Sequence, residues 1–488
     1  MDSISSPPLK VFFIPFFDTG HMLPLLEFSR IFASRGVHVT IITTHSQSKS
    51  IEKTIDKDKA KGLHIQIHPL TFPSKELGLP DGLESPLSAK DQDTKFKIFY
   101  GISLLQQQME HFMQQNPPHC IVSDAFYPWT SQFAKVLGIP RLYFDGSGIF
   151  AATLKEAIRS SSPHDDETEP FIIENLPHPI TMTLSQLPES NKERKPNTRS
   201  TNFMEQIRES ELQSYGRLVN SFEELDVEYT KHYEKIVGIK VWQVGPTFLM
   251  HRNKGMVKKK NDEIVVSEEE CMEWLNSKEP NSVLYVCFGS AFVFSDEQMI
   301  EIANGIESSG HNFIWVVLVK EEDPSQKWLL KEFEERVTTS RKGMILKGFA
   351  PQVMILEHPA VGGFMTHCGW NSIVESVCSG VPMITWPLYA EQFFNEKLIT
   401  RVHGIGVEVG AEEWIQYAVD SRKKLVSRGR IEEAVRRVMD GGDEGLKIRL
   451  RARDLSNKSK AAVEEGGSSH KNLNALIQDI KNMLVREI

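Results

Sequence analysis

The sequence lacks the features that mark several specialised classes of protein. Its 488 residues include only 5 cysteines and no CxxC pair, which argues against a disulfide framework and against a structural zinc site. Lysine and arginine number 56 against 65 acidic residues, and the net charge of −9 argues against a nucleic-acid partner. The first apolar run, VFFIPFF, is too short for a signal peptide or a membrane span. These absences favour a cytoplasmic protein with reduced thiols.

Short apolar runs alternate with helical stretches in two successive series, and a chain of this length is too long for one compact core. Nearly continuous apolar strands separated by helices predict parallel sheets covered on both faces. We therefore expect an α/β protein with two doubly wound, Rossmann-like domains facing a central cleft. The candidate strands are 11–15, 38–44, 64–70, 120–124 and 141–144 in the first series, and 282–290, 312–318, 344–347, 361–366 and 381–386 in the second.

Composition suggests where the domains begin and end. Residues 250–270 are polar, charged and without periodicity, which indicates a linker between an N-terminal domain, 1–249, and a C-terminal domain, 271–466. After Gly467, apolar residues recur at helical spacing, so 467–488 should form a last helix that packs back toward the N-terminal domain. Ligands of open α/β sheets bind beyond the carboxyl ends of the strands, and the loops there are the candidate sites.

The turn HCGWNS, between an apolar strand and a helix, contains the residue types that bind phosphate groups. Gly369 allows close approach of the backbone. Asn371 and Ser372 lie at the helix start, where free N–H groups and the positive end of the helix dipole favour an anion. His367 adds a donor, and Glu375 can accept two ribose hydroxyls. Each residue also has an ordinary explanation, as a helix cap or a core histidine.

Two other loops could complete a nucleotide site. Phe349 follows a strand in the segment GFAPQ and could stack on a base, although a phenylalanine at a strand end is usually in the core. Ser290 follows another strand and could donate to a phosphate. Further along, the acid–amide pair Glu391-Gln392 suits the hydroxyls of a sugar.

One histidine and one aspartate in the first series suggest acid–base chemistry. His21 follows strand 11–15 and Asp124 ends strand 120–124, so neighbouring parallel strands would bring them together. Histidine accepts a proton near neutrality because its ordinary pKa is about 6.5, and a carboxylate on its other nitrogen stabilises the imidazolium. Such a pair could deprotonate a hydroxyl. Taken alone, as one of 16 histidines, His21 would more often be a surface or packing residue.

These motifs together resemble the plant UDP-sugar-dependent glycosyltransferases of family 1, which have the GT-B fold. The segment Phe349–Gln392 is similar to their secondary-product glycosyltransferase box, and GHMLPLLEFSR, IVSDAF, FGS and GGSSH extend the resemblance over nearly the whole chain. The resemblance implies a UDP-sugar donor and a hydrophobic small-molecule acceptor. It also implies His21 as the base, Asp124 as its partner, and displacement of UDP in one step with inversion.

The resemblance also assigns individual residues. Phe349 stands where the family usually has tryptophan, and Gln392, the last residue of the box, favours glucose over galactose. The implied UDP-binding residues are Ser290, Phe349, Ala350, Gln352, His367, Gly369, Asn371, Ser372 and Glu375, and the implied sugar-binding residues are Trp370, Glu391 and Gln392.

The acceptor is less constrained by the sequence. Outside the box, the chain looks most like legume enzymes that act on triterpenoid saponins, with flavonoids as the alternative. The aromatic and apolar candidates for the pocket, each of which could equally be core, are Phe17, Phe126, Ile149, Phe150 and Phe203.

The remaining expectations concern cofactors, oligomeric state and competing classes of protein. We expect no metal or cofactor, because the DxD sequences at 56–58 and 91–93 lie in polar stretches and not at strand ends. We expect a monomer. A nicotinamide-dependent dehydrogenase is disfavoured because no GxGxxG follows a strand. A catalytically inactive UDP-sugar-binding protein is the non-enzyme alternative.

Overall fold

The computed structural model describes residues 8–89, 91–160, 166, 168–188, 199–250, 268–290, 292–318, 324–415 and 424–486. In this part of the chain the strands form two parallel sheets and one small antiparallel pair. The strands are β1 Lys10–Ile14, β2 His38–Thr44, β3 Ile65–Leu70, β4 Cys120–Asp124, β5 Arg141–Phe144, β6 Phe171–Ile173, β7 Ile180–Met182, β8 Gly216–Val219, β9 Lys240–Gln243, β10 Val283–Cys287, β11 Asn312–Val317, β12 Gly343–Lys347, β13 Val361–Thr366, β14 Met383–Thr385 and β15 Gly406–Glu408.

The helices lie between the strands and cover the sheets. Several begin at a capping side chain: Asp91 Oδ1 accepts from Thr94 N at 2.8 Å, and Ser295 Oγ accepts from Gln298 N at 3.3 Å. The helices are α1 Thr19–Ser34, α2 His45–Ala60, α3 Ser74–Leu77, α4 Gln92–Gln115, α5 Trp129–Val136, α6 Ile149–Ser160, α7 Arg199–Leu212, α8 Glu223–Val237, α9 Thr247–Met250, α10 Glu268–Asn276, α11 Asp296–Ser308, α12 Pro324–Thr339, α13 Gln352–Leu356, α14 Trp370–Ser379, α15 Gln392–Lys397, α16 Arg428–Met439, α17 Asp443–Val463 and α18 Ser468–Arg486, with a π-helical turn at Leu398–Val402 and 3-10 turns at Pro86–Ser88 and Leu184–Gln186.

Both parallel sheets are doubly wound, as predicted. The first has the strand order β3-β2-β1-β4-β5-β8-β9, and the second has β12-β11-β10-β13-β14-β15. In each sheet the chain reverses direction of winding at one point, between β1 and β4 in the first and between β10 and β13 in the second. Ligands of open α/β sheets bind in the crevice beyond the carboxyl ends of the strands at such a point. The turns after these four strands are therefore the candidate site.

Apolar packing joins the two sheets and the C-terminal helix into one molecule. Leu473, Leu476 and Ile480 of α18 are completely buried in the same core as β1 and β2 of the first sheet. A second core is continuous from α6 and α8, beside the first sheet, into the second sheet and its helices. The two halves thus share an apolar core, and the site lies where their sheet edges face each other.

The structure differs from the sequence-based expectation in its shortest elements. Strands β6 to β9 and β15 were not predicted, because each has only three or four residues and no clear alternation. The predicted linker, 250–270, falls largely outside the described residues, but helices occupy both of its ends. Met250 closes α9, and Glu268 begins α10, whose acidic first turn suits the positive end of the helix dipole.

Candidate active site

The carboxyl edge of the first sheet brings a histidine and an aspartate into contact. His21 lies in the first turn of α1, and Asp124 is the last residue of β4. Ile14 of β1 pairs with Ser123 of β4, so the turns that follow the two strands are level with each other. The imidazole Nδ1 of His21 lies 2.7 Å from Oδ2 of Asp124, whose side chain is completely buried. The His21 side chain is 23% exposed, and Nε2 is the ring nitrogen that Asp124 does not contact.

Acidic neighbours control the protonation of His21. Burial alone would lower its pKa, but the charge and hydrogen bond of Asp124, together with the charges of Asp18 and Asp145, outweigh burial and raise the pKa to about 9. Burial raises the pKa of Asp18, against a hydrogen bond from Ser85 and the charge of His21. The imidazole therefore holds a proton at neutral pH when no substrate is bound, and it becomes a base only when that proton leaves.

A tight turn after β13 faces this pair. Cys368 has φ of 66°, in the left-handed region that side chains disfavour, and its carbonyl accepts a hydrogen bond from Asn395 Nδ2 at 2.9 Å. A Cβ at Gly289 or Gly369 would lie 2.8 or 2.5 Å from Nε2 of His367. Only glycine at these two positions lets the His367 ring lie between the turns after β10 and β13.

His367 is a neutral polar group in an otherwise buried position. Its side chain is 8% exposed, and burial lowers its pKa to about 4. Its Nδ1 has no hydrogen-bond partner in the part of the chain that the structure describes. At neutral pH the ring can therefore donate one hydrogen bond to an anion without bringing a charge of its own.

The start of α14 is open to an anion. The helix begins at Trp370, and its N-cap, Gly369, has no side chain to occupy the free N–H groups of the first turn. Asn371 and Ser372 lie in this first turn, as predicted. The geometry suits a phosphate group, because the free N–H groups and the helix dipole both favour negative charge.

A hydrogen-bonded group of side chains adjoins this helix start. Gln352 Nε2 donates to Ser372 Oγ at 3.0 Å and to Glu375 Oε2 at 2.7 Å, and its Oε1 accepts from Tyr285 Oη at 3.4 Å. Burial raises the pKa of Glu375 to about 7, although the hydrogen bond from Gln352 lowers it. The structure thus brings together Gln352, Ser372 and Glu375, which sequence reasoning had placed in one site.

The loop after β12 presents an exposed aromatic ring. Phe349 is 41% exposed, which is unusual for a phenylalanine, while Ala350 beside it is buried. Ser290, in the turn after β10, is also exposed. An exposed ring next to the Gln352 group is available for stacking on a planar ligand.

The predicted sugar-binding residues lie deeper in the structure. Gln392 is buried, and its Oε1 accepts from the backbone N–H groups of Leu388 and Tyr389 at 3.0 and 3.1 Å. Glu391 Oε1 accepts from Asn395 Nδ2 at 3.3 Å. Burial raises the pKa of Glu391, while the charge of Lys155 lowers it.

The side chains of two residues of α14 form hydrogen bonds with the first half of the molecule across the cleft. Asn371 Nδ2 donates to the carbonyl of Gly20, the residue before His21, at 3.0 Å. The buried indole N–H of Trp370 donates to the carbonyl of Asn220 at 2.9 Å. The side chain of Trp370 is therefore held between the two halves, and its N–H is not free for a sugar hydroxyl.

Aromatic rings line the approach to His21 from the first half. Phe126 lies 5.5 Å from the His21 ring, stacks on Phe16 at 4.3 Å and faces Phe203 at 6.2 Å, all measured between ring centroids. Phe126 and Phe203 were among the predicted acceptor residues. Phe16, which was not predicted, is buried behind Phe126, whereas Phe99 of α4, 6.2 Å from Phe126, is partly exposed. The run FFIPFF ahead of His21 is a visible signal for Phe16, and the sequence offered none for Phe99.

Three other predicted acceptor residues are in the core. Ile149 and Phe150 are completely buried, and Phe150 packs edge-on against Tyr229 at 4.5 Å. This corrects the expectation that their side chains line an open pocket, because the apolar start of α6 faces the shared core. Phe17 is also buried, next to Phe16 and Phe72, beneath the aromatic rings near His21.

The described residues contain neither a metal-ligand cluster nor a membrane-spanning helix. No group of three or more histidine, cysteine, aspartate or glutamate side chains in the described ranges is arranged to hold a metal ion. Of the helices that the structure describes, none combines the length and apolar character needed to cross a membrane.

Fold and site together define a class of protein. Two doubly wound domains meet at a cleft, with a histidine–carboxylate pair on one side and an uncapped helix start, the hydrogen-bonded group of Gln352, Ser372 and Glu375, and an exposed aromatic ring on the other. This arrangement is that of an enzyme that binds a nucleotide and transfers a group from it to an acceptor.

Comparison with known proteins identifies the family. Residues 10–426 match the family model UDPGT, "UDP-glucoronosyl and UDP-glucosyl transferase". UDP-glucosyl transferase 73CC6 of Saponaria officinalis is 50% identical over 486 residues, with 98% of this chain and 97% of the relative covered. Anthocyanin 3'-O-beta-glucosyltransferase of Gentiana triflora is 43% identical over 479 residues, with 97% and 98% covered.

A solved structure gives the same answer for the fold. UGT73P12 of Glycyrrhiza uralensis, crystallised with glycyrrhetinic acid 3-O-monoglucuronide, superposes with a TM-score of 0.91 at 40% identity over 99% of this chain and 97% of that one. The chain belongs to the plant UDP-glycosyltransferases and has their GT-B fold. The predicted family, fold class and enzyme class are confirmed.

Proposed function

We propose that this enzyme transfers glucose from UDP-glucose to a hydroxyl group of a hydrophobic plant metabolite or its glycoside, most favourably a triterpenoid saponin. The observation that carries the proposal is the contact between His21 and Asp124 opposite the start of α14, with Asn371 bonded to the carbonyl of Gly20 at 3.0 Å. This contact supports the proposal because it joins the turn that carries His21 to the helix start proposed to bind the diphosphate.

The proposed reaction is a single displacement. Nε2 of neutral His21 takes the proton of the acceptor hydroxyl, and Asp124 stabilises the imidazolium that forms. The hydroxyl oxygen bonds to the anomeric carbon of glucose, and the bond from that carbon to the β-phosphate oxygen breaks. UDP leaves with the electron pair, and the anomeric configuration inverts.

The leaving UDP would be stabilised by groups of the second half of the chain. The free N–H groups at the start of α14 and the neutral ring of His367 would donate to the diphosphate. Gln352 and Glu375 would bind the ribose, and Phe349 would stack on uracil. We propose that transfer needs neither metal nor cofactor, so activity should be unchanged by EDTA.

Support for the sugar and the acceptor is of two kinds. Gln392 favours glucose, and its fixed side chain would give a rigid contact for the sugar. The partly exposed rings of Phe126 and Phe203, with Phe16 packed behind Phe126, suit an apolar acceptor. The Glycyrrhiza structure holds a triterpenoid glucuronide, which favours that class. The Gentiana relative is named for an anthocyanin, which keeps a flavonoid acceptor as the second candidate.

The proposal also covers the cellular compartment and the oligomeric state. All five cysteines are buried and unpaired, which suits a reducing compartment, and we propose a cytoplasmic monomer.

The test is a screen of donors against acceptors, read by mass spectrometry. UDP-glucose, UDP-galactose and UDP-glucuronic acid are each combined with triterpenoid aglycones, triterpenoid glucuronides and flavonols. The proposal expects addition of one hexose from UDP-glucose, with triterpenoids preferred. Preference for flavonols would favour the second candidate. UDP binding in calorimetry without transfer to any acceptor would contradict the proposal.

A further inference from the structure

Trp370 is buried between the two halves of the molecule. It is the first residue of α14, directly before Asn371, and its side chain is only 3% exposed. A Cβ placed on Gly148 would lie 2.5 to 2.7 Å from three atoms of the six-membered part of the indole. Gly148 precedes α6 and belongs to the half that contains His21. The indole thus lies directly on a glycine of the opposite half.

Hydrogen bonds fix the same contact on two further sides. The indole N–H donates to the carbonyl of Asn220, in the loop after β8, at 2.9 Å. Asn371, the next residue, donates to the carbonyl of Gly20 at 3.0 Å. Gly20, Gly148 and Asn220 follow three different strands of the first sheet, β1, β5 and β8, so the start of α14 is held at three points.

The glycine loop after β5 contacts both the base and the indole. A Cβ on Gly146 would lie 3.4 Å from the Gly20 carbonyl and 3.5 Å from the ring of His21, and Gly148 two residues later touches Trp370. The loop therefore spaces His21 from the helix start that receives the diphosphate. A displacement of about 1 Å between reacting groups can cost about a hundredfold in rate.

We propose that Gly148 and the carbonyl of Asn220 form a socket for Trp370, and that this socket sets the distance between the leaving diphosphate and His21. Gly148 is then a positioning residue, since it touches neither substrate nor base. This inference takes one point from the proposed function, namely that the leaving UDP is bound at the start of α14. It implies that a side chain at 148 impairs catalysis even in protein that is still folded.

Gly148 is well suited to a direct test. Its φ lies outside the left-handed region, so alanine is not strained by the backbone, and the obstacle is the indole itself. Phenylalanine at 370 would lack the outer atoms of the indole that a Cβ at 148 meets. A double-mutant cycle of Gly148→Ala and Trp370→Phe therefore separates contact between the two residues from independent damage.

The experiment measures kcat, the KM for UDP-glucose, UDP affinity by calorimetry and the unfolding temperature, with the best acceptor from the screen. Gly148→Ala should lower kcat about tenfold or more while UDP affinity stays near that of the wild type and the protein stays folded at the assay temperature, with an unfolding temperature lower by a few degrees because of overpacking. In the Trp370→Phe background, the same change should cost less than about twofold. The matched control is Gly429→Ala, at an ordinary φ with no atom within 4 Å of the new Cβ, which should leave kcat unchanged.

Three results would contradict the proposed socket. The first is that the losses of kcat in the two single variants simply add in the double variant, and the second is an undiminished kcat of Gly148→Ala. The third is a loss of kcat that is fully explained by a loss of folded protein. None of these bears on the proposed function, which fails separately if the wild type transfers no sugar or if His21→Ala remains active.

Discussion

The charge of Asp124 is the main influence that favours the protonated form of His21. Asp124 is completely buried, and its charge and hydrogen bond outweigh the effect of burial on His21 and raise the pKa of the imidazole to about 9. A base must be deprotonated to act. The rate of transfer should therefore rise with pH and level off only as His21 becomes neutral.

Asp124→Asn tests this account of the base. Without the carboxylate, burial dominates and the pKa of His21 falls, so the plateau of the pH–rate profile should begin at lower pH. The plateau itself should be lower by about 10²–10⁴, because the imidazolium loses its partner and its tautomer is no longer fixed. The measurement is kcat/KM against pH for both proteins, because kcat/KM reports the pKa of His21 in the free enzyme. An unchanged midpoint would show that Asp124 does not control the proton of His21.

Phe349 is an exposed ring, and its proposed role is stacking on uracil. Phe349→Ala should weaken UDP binding by about 1–3 kcal/mol, the usual contribution of stacking between a base and an aromatic side chain. Phe349→Trp should strengthen binding, because indole offers a larger face. The control is Met354→Ala, which removes a similarly exposed apolar side chain from α13. Equal UDP affinity of wild type and Phe349→Ala, by calorimetry, would exclude stacking.

At the scale of elements, α13 and α14 act together through the bonds from Gln352 to Ser372 and Glu375. Burial raises the pKa of Glu375 to about 7, so this carboxyl gains a proton as the pH falls through neutrality. A protonated carboxyl accepts hydroxyl hydrogens poorly. Binding of a ribose should therefore weaken below about pH 7.

Uridine is the probe for this prediction, because it has ribose but no phosphate that titrates. Its affinity for the wild type should decrease between alkaline and mildly acidic pH, and Glu375→Gln should bind more weakly with little dependence on pH. His367 titrates near 4 and does not interfere in this range. The same pH dependence in Glu375→Gln would assign the titration to another group.

Elements with strong patterns were predictable and short ones were not. β2, β4, β5 and β13 match their predicted ranges because each is an apolar run bounded by turn residues. β8 and β15, with four and three residues, are strands because of the sheet beside them and not because of their own sequence. Ile149 and Phe150 show the same limit: apolar character was visible, but not which core would bury it.

At the scale of the whole molecule, the site depends on residues far apart in the chain. The parallel sheets allowed His21 and Asp124 to be paired from sequence, since His21 follows β1 and Asp124 ends the adjacent strand β4. The contacts of Trp370 with Gly148 and Asn220 could not be predicted, because no local pattern encodes how two sheets formed by distant parts of the chain face each other. Those contacts give the shared cleft its geometry.

The central claim is that His21 is the base for sugar transfer from UDP-glucose, and it is tested most directly by His21→Ala. The measurement is the initial rate of hexose transfer by the variant and the wild type, on preparations whose UDP affinity has been measured by calorimetry. We expect the rate to fall by about 10²–10⁴ while UDP affinity stays within about twofold. Near-normal transfer by a variant that binds UDP normally would contradict the account.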